Sequence, residues 1–254
     1  MIDLMKNEWI KAWYGRKVWV FLIVLAACTI LGTVVGVMMK NYADAYIDLL
    51  FFETVFPIFA GFVSLYAVIL VSGALAKEFS SGTIKQLFIR PVSRTRILLS
   101  KWISIMLLSF LLLLGAGFIL FLVEMLFFTE NTTWMIGFKT MWSMVLHHTP
   151  TLLFYIALAT LIGVWMRSTA LTIVVAFIPM FFKGILMLLL MQYDWSKWIV
   201  FMHFELYNSY EKPVDLIFSS ELFDSVWHSA AYIGAHILIL LLISHLIFKK
   251  RDVL

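Results

Sequence analysis

The sequence predicts an all-α, polytopic membrane protein with six transmembrane helices, and three observations lead there. Of the 254 residues, 63% are hydrophobic and 13% charged, where a soluble domain has about 45–50% and about 25%. A soluble fold of this size would have too few charges to cover its surface. The apolar residues also fall into six runs, each close to the roughly 20 residues that a helix rising about 1.5 Å per residue needs to cross a bilayer core. Finally, the basic residues are unevenly divided among the segments joining those runs. With both ends inside, fourteen of the nineteen Lys and Arg residues fall inside and four outside, and Lys183 lies within a run. Basic loops resist translocation, so the N- and C-termini are both assigned to the cytoplasm. Losing any one run would put one terminus outside and spoil the asymmetry.

Residues 1–17 are expected to form an amphipathic interfacial helix. Met5, Trp9 and Trp13 recur every four residues, Ile2 lies one turn earlier, and Lys6, Glu8, Lys11 and Lys17 lie mostly elsewhere. Tryptophans at the boundary and lysines on anionic lipid suit a helix in the headgroup region; a helix packed on a soluble partner would show the same pattern. The mixed charge and the long apolar run that follows do not fit a cleaved signal peptide.

The first span, residues 18–39, carries no charge, and Gly32 and Gly36 form a GxxxG pair that lets two helix backbones approach. Residues 40–53 set Asp44, Asp48 and Glu53 against Lys40 and are expected to form an external loop. The second span is 54–76, interrupted by Pro57 and small residues. Residues 77–101 form the basic loop, with Lys77, Lys85, Arg90, Arg94, Arg96 and Lys101 against Glu78. The third span is 102–128, and 130–145 is expected to be a short external loop. The fourth, 146–166, has His147 and His148 at its outer mouth and Pro150 in its first turn, where proline is tolerated. Arg167, Ser168 and Thr169 make a tight internal turn before the fifth span, 171–191. Residues 192–228 are external and rich in Trp, Tyr and Phe, with Pro213 dividing them into two short apolar pieces. A re-entrant or interface-lying helical hairpin fits that segment, with a small folded cap as the alternative. The sixth span is 229–248, followed by Lys249, Lys250 and Arg251. The chain reads as one membrane domain over residues 1–254.

Enzymatic signatures are missing. The sequence holds no HExxH, no GxSxG, no paired-cysteine metal motif and no GxxxxGK[ST] phosphate loop. The single cysteine, Cys28, lies in an apolar run, so no disulfide framework forms within the chain. The net charge of +4 sits beside apolar spans and not on one polar face, so nucleic acid is not an expected partner. Adjacent His147 and His148 point to different helix faces, as an ordinary interfacial pair would. Two charges within spans stand out as candidates for a substrate pathway, Lys183 and Glu124. Lys183 could line a polar route, pair with Glu124, mark a helix break after Pro179, or reach the outer interface. Glu124 could reach water from the outer end of its span. His236 and His245 read as interhelical hydrogen-bonding groups.

The basic loop resembles the first cytoplasmic loop of permease subunits of ABC-2 type ABC transporters. The resemblance rests on Glu78, Gly82-Thr83, the short helix 84–89, Pro91-Val92-Ser93-Arg94, and Lys101 opening the third span. The turn 163–168, the ending 248–253, the amphipathic start and the hairpin before the last span are similar too, so the likeness covers essentially the whole chain. It implies two membrane subunits, the second the same chain or a paralogue, paired with two separate ATPase subunits that bind ATP and Mg; this chain would bind no cofactor and have no catalytic residues. It also implies a coupling helix at about 80–89, with Glu78, Thr83, Lys85, Gln86, Leu87 and Phe88 as ATPase contacts. A dimer interface through the first and fifth spans would use Gly32 and Gly36. Short stand-alone permeases of this kind resemble bacteriocin, bacitracin and amphipathic-peptide exporters, including those for phenol-soluble modulins, in a bacterial cytoplasmic membrane. Two other readings remain: a membrane sensor or scaffold using the same ATPase contact, and a membrane-embedded enzyme.

Overall fold

The computed structural model describes residues 2–43, 51–80, 93–128, 133–190, 192–211 and 223–250. Every regular element among them is helical. Helix α1 is Ile2–Tyr14, and α2 follows over Lys17–Ala43. Helix α3, Phe51–Val71, runs into a π-helical turn at Ser72–Ala76 and a short helix α4, Lys77–Ser80. Then come α5, Arg94–Phe127, α6, Trp134–Met166, and α7, Thr169–Leu190. Two 3₁₀ turns, Asp194–Trp198 and Val200–Phe204, and the short α8, Leu206–Tyr210, lead towards α9, Val226–Lys250. Six of these helical stretches are long and apolar enough to cross a membrane, so the chain has the build of a multi-pass membrane protein.

Helix α6 is the post of the bundle: α3, α5, α7 and α9 all pack on it. Its inward face carries Met144, Val145, Leu152, Tyr155 and Ile156, all buried. Helix α3 presents Phe52, Phe56, Val63 and Ala67 to the same core. Three helices meet closely at Gly117 of α5, where a Cβ would lie 3.0 Å from Val145 Cγ2 and 3.1 Å from Phe56 Cε2. Around the outside, α2, α7 and α9 expose large apolar side chains such as Ile23, Leu31, Phe181, Leu188 and Leu242. Lipid tails are as apolar as leucine, so such faces need no protein cover.

Several boundaries differ from the expectation. The segment 130–145 is helical from Trp134, and α5 starts at Arg94, inside the expected loop. Both starts have polar caps: Thr133 Oγ1 accepts from the Ile136 amide at 3.4 Å, and Ser93 Oγ from the Arg96 amide at 3.4 Å. Helices of 33 and 34 residues are about 50 Å long and outrun the roughly 30 Å hydrocarbon core. Polar residues at their ends therefore read as loop although the backbone stays helical. Pro150 consequently lies mid-helix in α6 and not in a first turn. Residues 192–211 pack as a cap against α6, α7 and α9. The expected hairpin's middle, 212–222, lies outside the described residues, as do 44–50 and the bulk of the basic loop, 81–92.

Candidate functional site

Lys101, in the second turn of α5, is buried, with 2% of its surface exposed. Its Nζ lies 2.8 Å from Glu8 Oε1 on α1 and 3.0 Å from Glu78 Oε2 on α4. Lys11, one turn after Glu8, closes the square at 3.3 Å from Glu8 Oε1 and 3.1 Å from Glu78 Oε1. Two ammonium groups thus join two carboxylates from three elements. Burial works against the charge on Lys11, but the carboxylates of Glu8 and Glu78 outweigh it and hold its pKa above the ordinary lysine value. The Trp9 indole donates to the Ser104 carbonyl at 3.1 Å, and Ser104 Oγ donates to the Met5 carbonyl at 3.4 Å. The N-terminal helix is therefore fastened along α5, with its tryptophan hydrogen-bonded to the bundle.

The rest of this end of the bundle is equally tied together. Arg94 donates to the carbonyl of Lys249 at 3.0 Å, bringing the start of α5 to the end of α9. Phe79 meets Phe248 edge to face, with ring centroids 5.9 Å apart, and the Arg167 guanidinium lies 5.4 Å from the Phe79 ring centre. Arg167 takes a left-handed conformation (φ 54°) as the C-cap of α6, and its amide donates to the Gly163 carbonyl at 3.2 Å. So α1, the borders of the basic loop, the α6–α7 turn and the end of α9 share one end. Of the residues assigned to ATPase contact, Glu78 sits in the ion-pair square. Thr83, Lys85, Gln86, Leu87 and Phe88 lie outside the described residues.

The opposite end carries a second ion pair. Lys183 Nζ lies 2.9 Å from Glu205 Oε1 in the cap, and Asn208 Nδ2 donates to Glu205 Oε2 at 3.2 Å. Burial would raise the Glu205 pKa, but Lys183, by charge and hydrogen bond, holds it below the usual value. A cavity of about 130 Å³ adjoins the pair, lined among others by Ser64, His148, Tyr155, Lys183 and Glu205. Lys183 thus meets the cap and not Glu124. Glu124 does not stand in water either: it is buried on α5, near enough to Tyr207 to act on its charge. The Tyr207 hydroxyl, its pKa pushed up to about 12 mainly by burial, donates to Glu53 Oε1 at 3.4 Å.

Within the cap, His203 is wholly buried. Its Nε2 donates to the Lys197 carbonyl at 2.8 Å, and its Nδ1 faces Ser229 Oγ of α9 at 2.8 Å. Burial, then His236, lowers its pKa against the Lys197 hydrogen bond. The histidines 147 and 148 turn back on their own helix, to the carbonyls of Ser143 (2.7 Å) and Met144 (3.2 Å). No group of three potential metal ligands occurs among the described residues.

The glycine pair on α2 is divided. A Cβ on Gly36 would lie 2.8 Å from Phe128 Cζ and 3.1 Å from Phe51 Cε2, so Gly36 makes room for this chain's own aromatic stack. Gly32 has nothing within 4 Å of such a Cβ and stays open to the outside.

Sequence reasoning missed Glu8, Lys11 and Glu205 as partners. Glu8 and Lys11 were visible as a charged pair three residues apart on a helix. Their meeting with Lys101, 93 residues from Glu8, leaves no local signal.

The comparisons with known proteins carry no activity. A stretch of 50 residues is 52% identical to "Uncharacterized protein YhcI" of Bacillus subtilis (strain 168), covering 20% of this chain and 16% of that protein. Residues 20–254 match the family described as "Protein of unknown function (DUF2705)". That match leaves out α1 and takes in all six membrane-length helices but the first three residues of α2; the chain belongs to the DUF2705 family.

Proposed function

We propose that this chain is the membrane-spanning permease subunit of an ATP-driven ABC exporter in a bacterial cytoplasmic membrane. A separate pair of ATPase subunits binds ATP and Mg and hydrolyses the nucleotide, and a second permease subunit, identical or paralogous, completes the path. The cargo is an amphipathic or hydrophobic molecule such as an antimicrobial peptide. One observation carries most of the weight. Glu78, at the entrance to the basic loop, shares an ion-pair square with α1 and α5, buried at Lys101 and half-exposed at Lys11. A force applied to that loop by a partner would reach three elements at once through short ionic contacts. The apolar Leu87 and Phe88 in an otherwise charged loop would gain burial in a partner's pocket.

The test is to replace residues 83–88 with a polar linker and reconstitute the complex with its ATPase. Insertion should survive, and stimulation of ATP hydrolysis by substrate should be lost. Coupling that persists in the linker variant would sink the assignment of this segment.

A further inference from the structure

The cavity beside the Lys183–Glu205 pair is walled by α3, α6, α7 and the cap. At about 130 Å³ it exceeds the roughly 10–15 Å³ that one water needs. It falls short of the roughly 300–1,000 Å³ of sites that enclose a whole small molecule. Its size therefore suits a small polar group of a larger ligand. The two formal charges on its wall cancel: Glu205 Oε1 is taken by the Lys183 ammonium at 2.9 Å. Glu205 Oε2 accepts from Asn208 Nδ2 at 3.2 Å, so the carboxylate does not call for a further cation.

The neutral polar groups of the wall are one-sided. Ser64 Oγ gives its proton to the Ala60 carbonyl at 2.8 Å, and Thr151 Oγ1 gives its own to the Phe204 carbonyl at 3.0 Å. His148 Nδ1 lies 3.2 Å from the Met144 carbonyl. A carbonyl only accepts, so Nδ1 carries the proton and Nε2 of the neutral ring keeps a lone pair. These side chains have lone pairs left and no proton to give. Tyr155 supplies the reverse: its side chain is buried, and its hydroxyl has no hydrogen-bond partner among the described residues. A buried hydroxyl without a partner costs free energy.

The complement of this wall accepts a proton from Tyr155 and donates one to a lone pair. A neutral hydroxyl does both, whereas a carboxylate cannot donate and an ammonium cannot accept. Either ion would also add net charge to a site whose own charges cancel. The remaining wall is apolar, with Ala60, Gly61, Met180 and Phe204. Helices α3 and α7, which flank it, expose Ile58, Phe62, Phe177 and Phe181. We infer that this cavity binds the hydroxyl head of a neutral amphiphile, such as the glycerol group of a monoacylglycerol, with the chain between α3 and α7. The inference needs only the membrane-spanning fold and no ATPase partner, so its failure would leave the transport reading untouched.

The experiment uses the full chain in phosphatidylcholine nanodiscs, because maltoside detergents carry hydroxyl heads of their own. Retention of radiolabelled monolauroylglycerol is measured above that of empty discs. Laurate and laurylamine, which share its chain, and free glycerol are the competitors. Unlabelled monolauroylglycerol should displace the label saturably, and laurate and laurylamine should do so roughly tenfold more weakly. Glycerol at the same concentration should not compete. Tyr155→Phe, which removes only the hydroxyl, should weaken retention roughly two- to tenfold. Gly61→Leu should fill the cavity and abolish saturable retention, since a Cβ there would face only Met180 Cε, at 4.0 Å. Gly115→Leu, on α5 with nothing within 4 Å of its Cβ, should retain the lipid in full. Tyr155→Phe carries the test if Gly61→Leu does not fold. Equal competition by all the lauryl compounds, or equal retention in wild type and in whichever cavity variant folds, would overturn the site. Competition by glycerol as strong as that of the monolauroyl ester would overturn an amphiphile as its occupant.

Discussion

Lys101 is a charged residue with almost no access to water, and its two carboxylate partners decide what happens on substitution. Removing one member of a buried ion pair strands the others and costs about 3–5 kcal/mol. Lys101→Met should destabilise the protein by that order, because Glu8 and Glu78 would lose their buried shared ammonium. Glu8→Gln should cost less, since Glu78 still meets Lys101. Chemical denaturation in detergent measures both. His203 gives a prediction in pH. Its folded pKa is lowered below the ordinary value of about 6.5, so the unfolded state binds the proton more tightly. The stability it contributes is full above about pH 6.5 and declines as pH falls towards its native value. Protection factors over 194–211, with the intrinsic pH dependence of exchange divided out, should therefore fall as pH drops below about 6.5, and His203→Gln should flatten that response. Glu205, also lowered, contributes stability above the ordinary carboxylate pKa that is lost as pH falls through its native value.

At the scale of the element, α5 crosses α6 and α3 through Gly117, and a branched side chain there tests the fit. Gly117→Val would push against Val145 and Phe56, and overpacking of this kind costs about 1–3 kcal/mol. Gly115→Val, two residues away with nothing within 4 Å of its Cβ, should leave the melting temperature nearly unchanged. The pair of measurements separates close packing from any general dislike of valine in this helix. The extents of the elements show what the sequence could and could not disclose. The core of each span was legible because twenty apolar residues in a row have few other uses. The ends were not. Lys139 and Thr140 look like loop but ride on an already formed helix, and Lys101 looks solvated but is buried by partners from α1 and α4. The π-helical turn left only a run of small residues, Ser72–Ala76. The site was legible to the extent that Glu78 stood out as the acid of the basic loop and Lys183 as a charge within a span. Their partners, Glu8, Lys11 and Glu205, are brought to them only by tertiary packing.

At the scale of the whole molecule, the described contacts gather α1, the loop borders, the α6–α7 turn and the end of α9 at one end. The cap and the Lys183–Glu205 pair occupy the other. The charge asymmetry of the sequence predicts that the first end faces the cytoplasm, and labelling tests it. In a chain carrying Cys28→Ser, the only native cysteine removed, a cysteine placed at Asn208 should react with an impermeant thiol reagent on intact cells. One placed at Ser93 should react only after the membrane is opened. The reverse pattern would invert the topology.

The two-residue turn between α6 and α7 has a mechanical side. Helix α6 is the most covered of the long helices and α7 the least, and the chain passes from one to the other through Arg167 and Ser168 alone. So short a joint forbids α7 to slide along its neighbour and leaves it only a swing, like a door on a low hinge. Its 22 residues make a leaf about 33 Å long, so a slight tilt at the turn becomes several ångströms at the far edge. About two thirds of the way along the leaf, the Lys183–Glu205 pair ties it to the cap.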